Sequence, residues 1–320
     1  MVVNSSVDVC VCVFNGEKYL REQIISILKN ATGTLRLIIS DGGSTDSSLD
    51  IMRDIIADYP QFEIVLLLTD GSRLGVIENF SKALTYATAD YVFISDQDDV
   101  WSEKKFSSML GRMYIEERNY RGPILLTTDA KLIDDEGKIL SESLRKNLKQ
   151  PAQNMTSISH LVAQNILPGC TFLINRAALD IVLPIDRNSV MHDWWISSLC
   201  ALCGRVIFID ESLHYYRLHA SNLVGQPTSS LMSKLFDFRR RMIASEKFIS
   251  QIRALIDRLN SLSATVEVAP LGYLLMKSGK SRFFRISIVN FFITGNLKKT
   301  GLRRQIGAVG VFFLLALCFG

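Results

Sequence analysis

Tyr91-Val92-Phe93-Ile94 and the stretch after it, Ser95-Asp96-Gln97-Asp98-Asp99-Val100-Trp101, are the most informative part of this chain. The apolar run predicts a buried strand. The acids just beyond its C-terminal end would lie at the mouth of a parallel sheet, where open α/β folds bind ligands. Clustered carboxylates there are hard oxygen ligands that suit Mg²⁺ or Mn²⁺ beside a diphosphate. The alternative is a solvated acidic loop or a helix N-cap, because Asp98 and Asp99 precede a helix-like segment.

Strand-like and helix-like segments alternate on the N-terminal side of this stretch. Residues 7–14, 35–39 and 63–68 have the pattern of strands, and helices are predicted at residues 18–30, up to about residue 58, and at residues 76–87. Repeated alternation of this kind predicts an α/β fold with a mostly parallel, Rossmann-like sheet flanked by helices.

A glycine-containing turn follows the second predicted strand, at Ser40-Asp41-Gly42-Gly43-Ser44-Thr45-Asp46. Two glycines permit a tight turn, and Ser44 or Thr45 can cap the next helix. Asp41 is expected to project from the strand end, which adds a carboxylate to the same edge of the sheet.

Length and composition favour a globular protein. The chain has 320 residues, 48% of them hydrophobic, which is enough for a large core in one domain or in a domain with an appendage. No secretory signal is expected at residues 1–8. The six cysteines lack the spacing of a disulfide scaffold, which fits a reducing cytoplasm. Cys200 and Cys203 are spaced as half of a redox or zinc site, but packing in the core of a helix is the expectation.

Charge is distributed unevenly along the chain. Residues 1–230 contain 21 Lys and Arg against 28 Asp and Glu, whereas residues 231–320 contain 15 against 4. The apolar run at residues 306–319 is shorter than the ~20 residues that a bilayer crossing needs. A basic helical region that binds an anionic membrane surface is therefore predicted, with a buried terminal helix or a homodimer contact as the alternative.

Two enzyme classes are disfavoured by what the sequence lacks. No P-loop pattern and no Gly-rich pyrophosphate-binding opening follow the first predicted strand, which argues against a nucleotidyltransferase. A processive polysaccharide synthase would need several membrane spans, and no nucleic-acid partner is expected.

Five motifs, in order, resemble those of family 2 glycosyltransferases of the GT-A type, which use nucleotide sugars. They are Phe14-Asn15-Gly16, the turn at 40–46, the stretch at 95–101, His192-Asp193-Trp194-Trp195, and Tyr216-Arg217-Leu218-His219-Ala220-Ser221-Asn222-Leu223-Val224-Gly225. The third and fourth are most similar to bacterial rhamnosyltransferases of O-antigen and capsule synthesis. Gly42 departs from the family, which commonly has a second Asp at that position.

The resemblance implies a donor site with a metal ion. Mg²⁺ or Mn²⁺ would be held by Asp98 and Asp96, with His219, and would neutralise charge on the leaving diphosphate. Asp41 would accept a hydrogen bond from the nucleotide base, and Asp99 would support a ligand or cap a helix. The residues implied in donor binding are Phe14, Asn15, Asp41, Asp96, Gln97 and Arg217.

The resemblance also implies an acceptor site. Asp193 would be the general base that takes the proton from the acceptor hydroxyl. The two tryptophans after it would offer flat apolar surface to a sugar or lipid. The alternatives are that Asp193 caps a helix whose tryptophans enter the core, and that His219 is structural. The residues implied in acceptor binding are Gly169, Cys170, Trp194 and Trp195.

Taken together, the sequence predicts a GT-A domain at residues 1–228 and a basic amphipathic helical region at 229–320. The implied activity is metal-dependent, inverting transfer of a sugar, with L-rhamnose from dTDP-rhamnose as the best candidate, to a lipid-linked glycan. The protein would work at the cytoplasmic face of the inner membrane. The alternatives are a UDP-hexose donor and a non-catalytic membrane-associated scaffold, and the intact Asp96, Asp98 and Asp193 favour an enzyme.

Overall fold

The computed structural model describes residues 6–31, 35–219 and 233–262, together with residues 265, 267 and 268. Its first half alternates strands and helices as the sequence predicts. The elements are β1 (Val7–Val13), α1 (Leu20–Asn30), β2 (Leu35–Asp41), α2 (Ser48–Asp58), β3 (Glu63–Leu67), α3 (Val76–Thr85) and β4 (Tyr91–Ser95).

The second half of the described chain is less regular. It contains β5 (Val100–Trp101), α4 (Lys105–Asn119), β6 (Ile124–Ile133), β7 (Ile139–Ser141), α5 (Leu144–Asn147), α6 (Ile158–Ala163), β8 (Leu173–Asn175), α7 (Arg176–Val182), α8 (His192–Cys203), β9 (Arg205–Arg217) and α9 (Ser233–Leu262). The acids after β4 do not cap a helix, because β5 intervenes and α4 begins only at Lys105.

These strands form one mixed sheet in the order β3-β2-β1-β4-β8-β6-β9-β5, with β7 paired to β6. The half from β3 to β4 is parallel, which confirms the α/β prediction for the strands before the acidic stretch. The other half is mixed, because β8 runs antiparallel to β4 and β6, whereas β9 is parallel to β6. The sequence predicted a mostly parallel sheet, and the antiparallel pairs arise from these later short strands.

Both faces of the central strands are buried, because successive strand residues point to opposite faces. On one face Cys10 of β1 and Ile94 of β4 pack with α3 and α8. On the other face Val11 and Phe93 pack with α1 and α4. The C-terminal ends of β1, β2 and β4 are therefore held rigidly at one edge of the sheet, which is where the candidate residues lie.

The second half of α9 packs on this domain. Phe248, Ile252, Leu255 and Leu259 are buried in the same core cluster as α7 and α8. Arg258 Nε donates a hydrogen bond to the carbonyl of Ile181 at 2.9 Å. This part of the predicted basic helical region therefore contributes to the core of the domain.

The remaining C-terminal predictions fall outside the described residues. The predicted boundary at 228/229 and the basic and apolar segments after residue 268 lie there. Among the helices that the structure describes, none is both long enough and apolar enough to span a membrane.

Candidate active site

The loops after β1 and β2 are joined by hydrogen bonds between their turns. Asn15, whose φ is 50°, accepts the N–H of Thr45 at 2.8 Å through its side-chain oxygen, and its own N–H donates to Ser44 Oγ at 2.9 Å. The Gly16 N–H donates to Ser48 Oγ at 2.8 Å. These bonds assign Asn15 a role in shaping the edge of the site.

Gln97 ties the acidic loop to the end of β1. Its Oε1 accepts the Phe14 N–H at 2.8 Å, and its Nε2 donates to the Phe14 carbonyl at 3.1 Å. The guanidinium of Arg73 stacks over the ring of Phe14, with Cζ 4.3 Å from the ring centroid. The amide of Gln97 thus pairs with protein backbone at both of its polar atoms.

Asp41 is buried at the end of β2 and turns back onto its own loop. Its Oδ2 accepts the N–H groups of Gly43 at 2.9 Å and Ser44 at 3.0 Å. Gly43 has φ 91°, a conformation that favours glycine. Contact between Asp41 and a nucleotide base stays a prediction.

The glycine that departs from the family pattern has a local explanation. A Cβ at Gly42 would lie 3.1 Å from Asn79 Nδ2 and 3.2 Å from the carbonyl oxygen of Val13. Asn79 is itself held there, because its Nδ2 donates to the carbonyls of Val13 at 3.2 Å and Ser40 at 3.1 Å. A side chain at residue 42 would press against both groups.

The loop after β4 contains three acids, of which Asp96 and Asp98 are partly buried and Asp99 is buried. Burial raises the pKa of Asp98 to about 6, with the neighbouring Asp99 carboxylate adding to the shift and His219 opposing it. His219 Nε2 lies 2.9 Å from Asp98 Oδ2. Burial also raises the pKa of Asp96 well above its usual range, and the carboxylates of Asp98, Asp99 and Asp193 raise it further.

Asp99 points away from this mouth into a buried network. Its Oδ2 lies 2.7 Å from His214 Nε2, and its Oδ1 accepts the Arg217 N–H at 2.9 Å. Although burial opposes its charged form, the neighbouring His214 and the Arg217 N–H lower the pKa of Asp99. Lys105 Nζ lies 2.9 Å from His214 Nδ1 and donates to the Cys170 carbonyl at 2.6 Å.

Arg217, which the sequence predicted to bind the donor, forms a hydrogen bond with the backbone of the acidic loop. Its side chain is 2% exposed, and Nε donates to the Asp98 carbonyl at 2.9 Å. Nη1 donates to the carbonyls of Asp134 and Asp135, and Nη2 to Glu22 Oε2 at 2.7 Å. These donors are directed at protein acceptors, so the guanidinium shapes the loop, and a contact between Arg217 and the donor stays a prediction.

Asp193 lies in the first turn of α8. Its Oδ1 accepts the Asn165 side-chain amide at 2.8 Å and the Trp194 N–H at 2.7 Å. Burial is the main cause of the raised pKa of Asp96, and the Asp193 carboxylate is near enough to add to it. Gly169 packs directly against this turn, because a Cβ on it would lie 3.1 Å from Asp193 Cβ.

The four residues predicted to bind the acceptor, Gly169, Cys170, Trp194 and Trp195, are all buried. Trp195 is 1% exposed and its indole N–H donates to the Val182 carbonyl. Trp194 donates to the Leu161 carbonyl and stacks on Phe248. Cys170 is fully buried beneath the acids. Trp194 and Trp195 present little surface to solvent, because α8 is buried on all its faces. A contact between these residues and an acceptor stays a prediction.

The acids at the mouth suit a divalent cation. Asp96 and Asp98 supply hard carboxylate oxygens, and burial first and neighbouring carboxylates second raise the pKa of each, two effects that a bound cation would oppose. In the described part of the chain, the three donor atoms that lie within 4.8 Å of one another belong to Asp99, Cys170 and His214. That cluster does not fit a cation, because the Lys105 ammonium contacts His214.

The sequence interpretation missed Lys105, His214 and Asn165. A signal for Lys105 was present, since residues 105, 109 and 113 are spaced as one helix face and Met109 and Met113 lie in the core. A lysine on this otherwise apolar helix face is expected to be buried with the two methionines. Nothing in the sequence indicated that Asn165 meets Asp193.

With the fold and the acids in place, the class of protein is a nucleotide-sugar-dependent glycosyltransferase of the GT-A fold. The sequence profile of the family described as "Glycosyl transferase family 2" matches residues 8–160, slightly less than half of the chain, and over that range the chain resembles this family. The match ends before Asp193, so the second half of the site lies outside it.

Two sequence relatives illustrate the similarity. The dTDP-rhamnosyl transferase RfbG of Shigella flexneri is 27% identical over 224 residues, which are 66% of this chain and 72% of that protein. The uncharacterized glycosyltransferase alr2836 of Nostoc is 25% identical over 230 residues, which are 68% of this chain and 66% of that protein. The chain thus spans slightly less than two thirds of the Nostoc relative.

Solved structures share the fold. Staphylococcus aureus TarS 1–349 in complex with UDP-GlcNAc has a TM-score of 0.56 at 17% identity, covering 96% of this chain and 79% of that one. The mannosyltransferase PcManGT from Pyrobaculum calidifontis, in complex with GDP-Man and Mn²⁺, has a TM-score of 0.52 at 14% identity, covering 97% and 80%. At these identities the likeness establishes the architecture alone.

Proposed function

We propose that this protein is a metal-dependent, inverting glycosyltransferase that moves L-rhamnose from dTDP-rhamnose to a lipid-linked glycan of O-antigen or capsule synthesis. The observation that carries the proposal is the position of Asp96 and Asp98 directly after β4, at the edge of the parallel half-sheet, with the Asp193 carboxylate near enough to help raise the pKa of Asp96. The first two come from the loop after β4, and the third from the start of α8.

The donor side would bind the nucleotide diphosphate through the loops after β1, β2 and β4. Asp98 and Asp96, with His219, would hold Mg²⁺ or Mn²⁺. Such a cation, when bound, neutralises the charge that develops on the leaving diphosphate. The chain's own part is to fix Asp98, whose Oδ2 is bonded by His219 and whose carbonyl is held by Arg217.

The acceptor side would depend on Asp193. Both of its described hydrogen bonds are made by Oδ1, from Asn165 and from the Trp194 N–H. They fix the orientation of the carboxylate, so Oδ2 is the oxygen that would take the proton from the acceptor hydroxyl. Gly169 would support this arrangement indirectly, since its lack of a side chain lets the turn at 169–171 pack against the first turn of α8.

The choice of dTDP-rhamnose is supported by RfbG, which is named a dTDP-rhamnosyl transferase. The basic C-terminal residues support a lipid-linked acceptor at an anionic membrane surface, with the protein peripheral on the cytoplasmic face. The domain division at residue 228 and a possible homodimer belong to the same proposal.

The test is an assay of the purified full chain against a panel of nucleotide sugars that includes dTDP-rhamnose and UDP-hexoses. Release of nucleoside diphosphate is followed with Mg²⁺, with Mn²⁺ and with a chelator. Turnover that is confined to dTDP-rhamnose and needs the cation is the expected result. Turnover with a UDP-hexose alone would overturn the choice of donor, and absence of turnover with every donor would favour a non-catalytic scaffold.

A further inference from the structure

Lys105 is a fully buried lysine in the first turn of α4. Its Nζ donates to the Cys170 carbonyl at 2.6 Å, lies 2.9 Å from His214 Nδ1, and sits 4.2 Å from the ring centroid of Trp101. Lysines are rarely buried without partners, because moving a charge out of water costs free energy. This ammonium therefore has a defined set of partners beneath the acidic loop.

The partners of Lys105 fix the proton positions on His214. A lysine ammonium only donates hydrogen bonds, so His214 Nδ1 is the acceptor and Nε2 carries the proton that is donated to Asp99 Oδ2. The other carboxylate oxygen, Oδ1, accepts the Arg217 N–H at 2.9 Å. Asp99 is thus oriented by two donors, one of which depends on Lys105.

The second partner of Lys105, the Cys170 carbonyl, belongs to a turn that packs against the acceptor side of the site. Cys170 follows Gly169, and a Cβ on Gly169 would lie 3.1 Å from Asp193 Cβ and 2.6 Å from His192 Nε2. The turn at 169–171 therefore packs directly on the first turn of α8. An unbroken series of contacts runs from Asp99 through His214 and Lys105 to this turn and on to Asp193.

We propose that Lys105 is a positioning residue that sets the spacing between the donor-side carboxylates and Asp193. The inference rests on the proposed function. An apolar side chain in its place would leave His214 Nδ1 and the Cys170 carbonyl buried without partners, and each would then be free to move toward water or another donor. The expected consequence is a misaligned Asp193 rather than a lost nucleotide site, because the bonds that shape the loops after β1 and β2 do not involve Lys105.

The test compares Lys105→Met with Met109→Ala in the full-length chain. Met109 lies one turn further along α4, is fully buried and belongs to the core, so its truncation destabilises the same helix while leaving both hydrogen-bond partners of Lys105 in place. Hydrogen exchange followed by mass spectrometry needs no substrate. It should show faster exchange at the amides of Arg217 and Thr171 in Lys105→Met than in Met109→Ala.

The kinetic measurement uses whichever nucleotide sugar and acceptor the wild-type protein turns over in the panel. Lys105→Met is expected to lower kcat for transfer about 10- to 100-fold while the donor KM changes less than about threefold, as for a catalytic group displaced by part of an ångström. Met109→Ala should retain kcat per folded molecule. If Lys105→Met does not fold, His214→Phe interrupts the same contacts from the neighbouring residue.

The outcomes are separable. Exchange in Lys105→Met no faster than in Met109→Ala overturns the proposal, as does an unchanged kcat or a kcat loss matched by the control. If the wild-type protein turns over no donor in the panel, the proposed function fails, and the exchange comparison alone decides whether Lys105 links the two sides.

Discussion

His219 Nε2 lies 2.9 Å from Asp98 Oδ2 and joins the residues just after β9 to the acidic loop after β4. The ring of His219 also packs against Tyr19, with centroids 5.1 Å apart, and the Tyr19 hydroxyl donates to Asp135 at 2.7 Å. The imidazole is therefore held from two directions, and Asp98 has a fixed orientation at the mouth of the site.

Replacing Asp98 with Asn is expected to abolish most turnover while leaving the fold intact. The side chain is 21% exposed at the mouth of the site, and asparagine has nearly the same size and shape. Loss of a ligand to a catalytic cation removes about 3 kcal/mol or more of transition-state stabilisation, which is a rate loss of about 100-fold or more. Steady-state assays with saturating Mn²⁺, beside circular dichroism, measure both effects.

Asp135→Asn is the matched control for this change. Asp135 is an acid at the same edge of the domain, but it is half exposed and bonded to Lys18 and Tyr19 rather than to the acidic loop. It should retain turnover within about threefold, the size of a lost surface ion pair. Near-normal activity of Asp98→Asn, or of the wild-type protein in a chelator, would contradict the assignment of Asp98 as a ligand.

Arg217→Met is expected to lower the free energy of unfolding by about 3 kcal/mol or more, because it removes a buried guanidinium that donates to three partly buried carbonyls and to Glu22. Glu22→Gln removes only the outer partner of the guanidinium, whose side chain is 59% exposed, and should cost less than about 1 kcal/mol. Urea unfolding measures both. A small stability change combined with a raised donor KM would instead identify Arg217 as a donor contact.

The parallel half of the sheet was predictable because each of its strands is a short apolar run followed by turn residues. β5 was not, because two residues, Val100 and Trp101, carry no strand pattern and are ordered by pairing with Tyr215 and His214 far along the chain. Sequence spacing placed the acids at the strand end but could not show that Asp99 faces inward.

The role of the residues from the later motifs was harder to predict. Trp195 was assigned to the acceptor by resemblance, yet α8 is a central helix with all of its residues buried, and sequence adjacency to Asp193 does not give a side chain the same direction. Arg217 was assigned to the donor for the same reason. Its partners within the protein come from α1, the loop after β4 and the turn after β6, which only the tertiary structure brings together.

Gly42→Ala and Gly111→Ala should change stability in opposite directions. A Cβ at Gly42 would press on Asn79 and on a carbonyl of β1 that is already hydrogen-bonded, so a cost of about 1–3 kcal/mol is expected. Gly111 is exposed within α4 with nothing near its Cβ position, and alanine there should gain up to about 1 kcal/mol. Thermal or urea unfolding of the two variants decides. Stabilisation by Gly42→Ala would contradict the expected clash and would show that Asn79 and the β1 carbonyl can move to make room for the methyl group.

The product is expected to have the anomeric configuration opposite to that of the donor. In the proposed site Asp96 and Asp98 are assigned to the cation, Asp99 is bonded to His214 and Arg217, and Asp193 takes the proton. No carboxylate among those placed in the described site is left to form a covalent sugar intermediate, so attack by the acceptor is a single displacement. Proton NMR of the first product formed reads the configuration, and retention would rule out this arrangement.

The last prediction concerns residues 268–320, which contain eight Lys and Arg and no Asp or Glu. Each cation near an anionic leaflet contributes about 1 kcal/mol before screening, and the uncharged run at 309–319 adds apolar surface. The full chain is expected to sediment with liposomes that contain acidic lipid, and less so as salt rises. The matched control replaces four exposed basic residues of the catalytic domain by Gln, namely Arg53, Lys104, Arg121 and Lys138.

Replacing Lys298, Lys299, Arg303 and Arg304 by Gln should weaken liposome binding by at least about tenfold, whereas the control with the same change in net charge should bind nearly as the parent does. Because each proposed catalytic residue precedes residue 225, the tail variant should still turn over a nucleotide sugar with a water-soluble acceptor. It should work poorly on a lipid-linked one. If it sediments with acidic liposomes as the parent does, the membrane role is wrong. Light scattering on the same variant then tests whether the tail joins two copies of the chain.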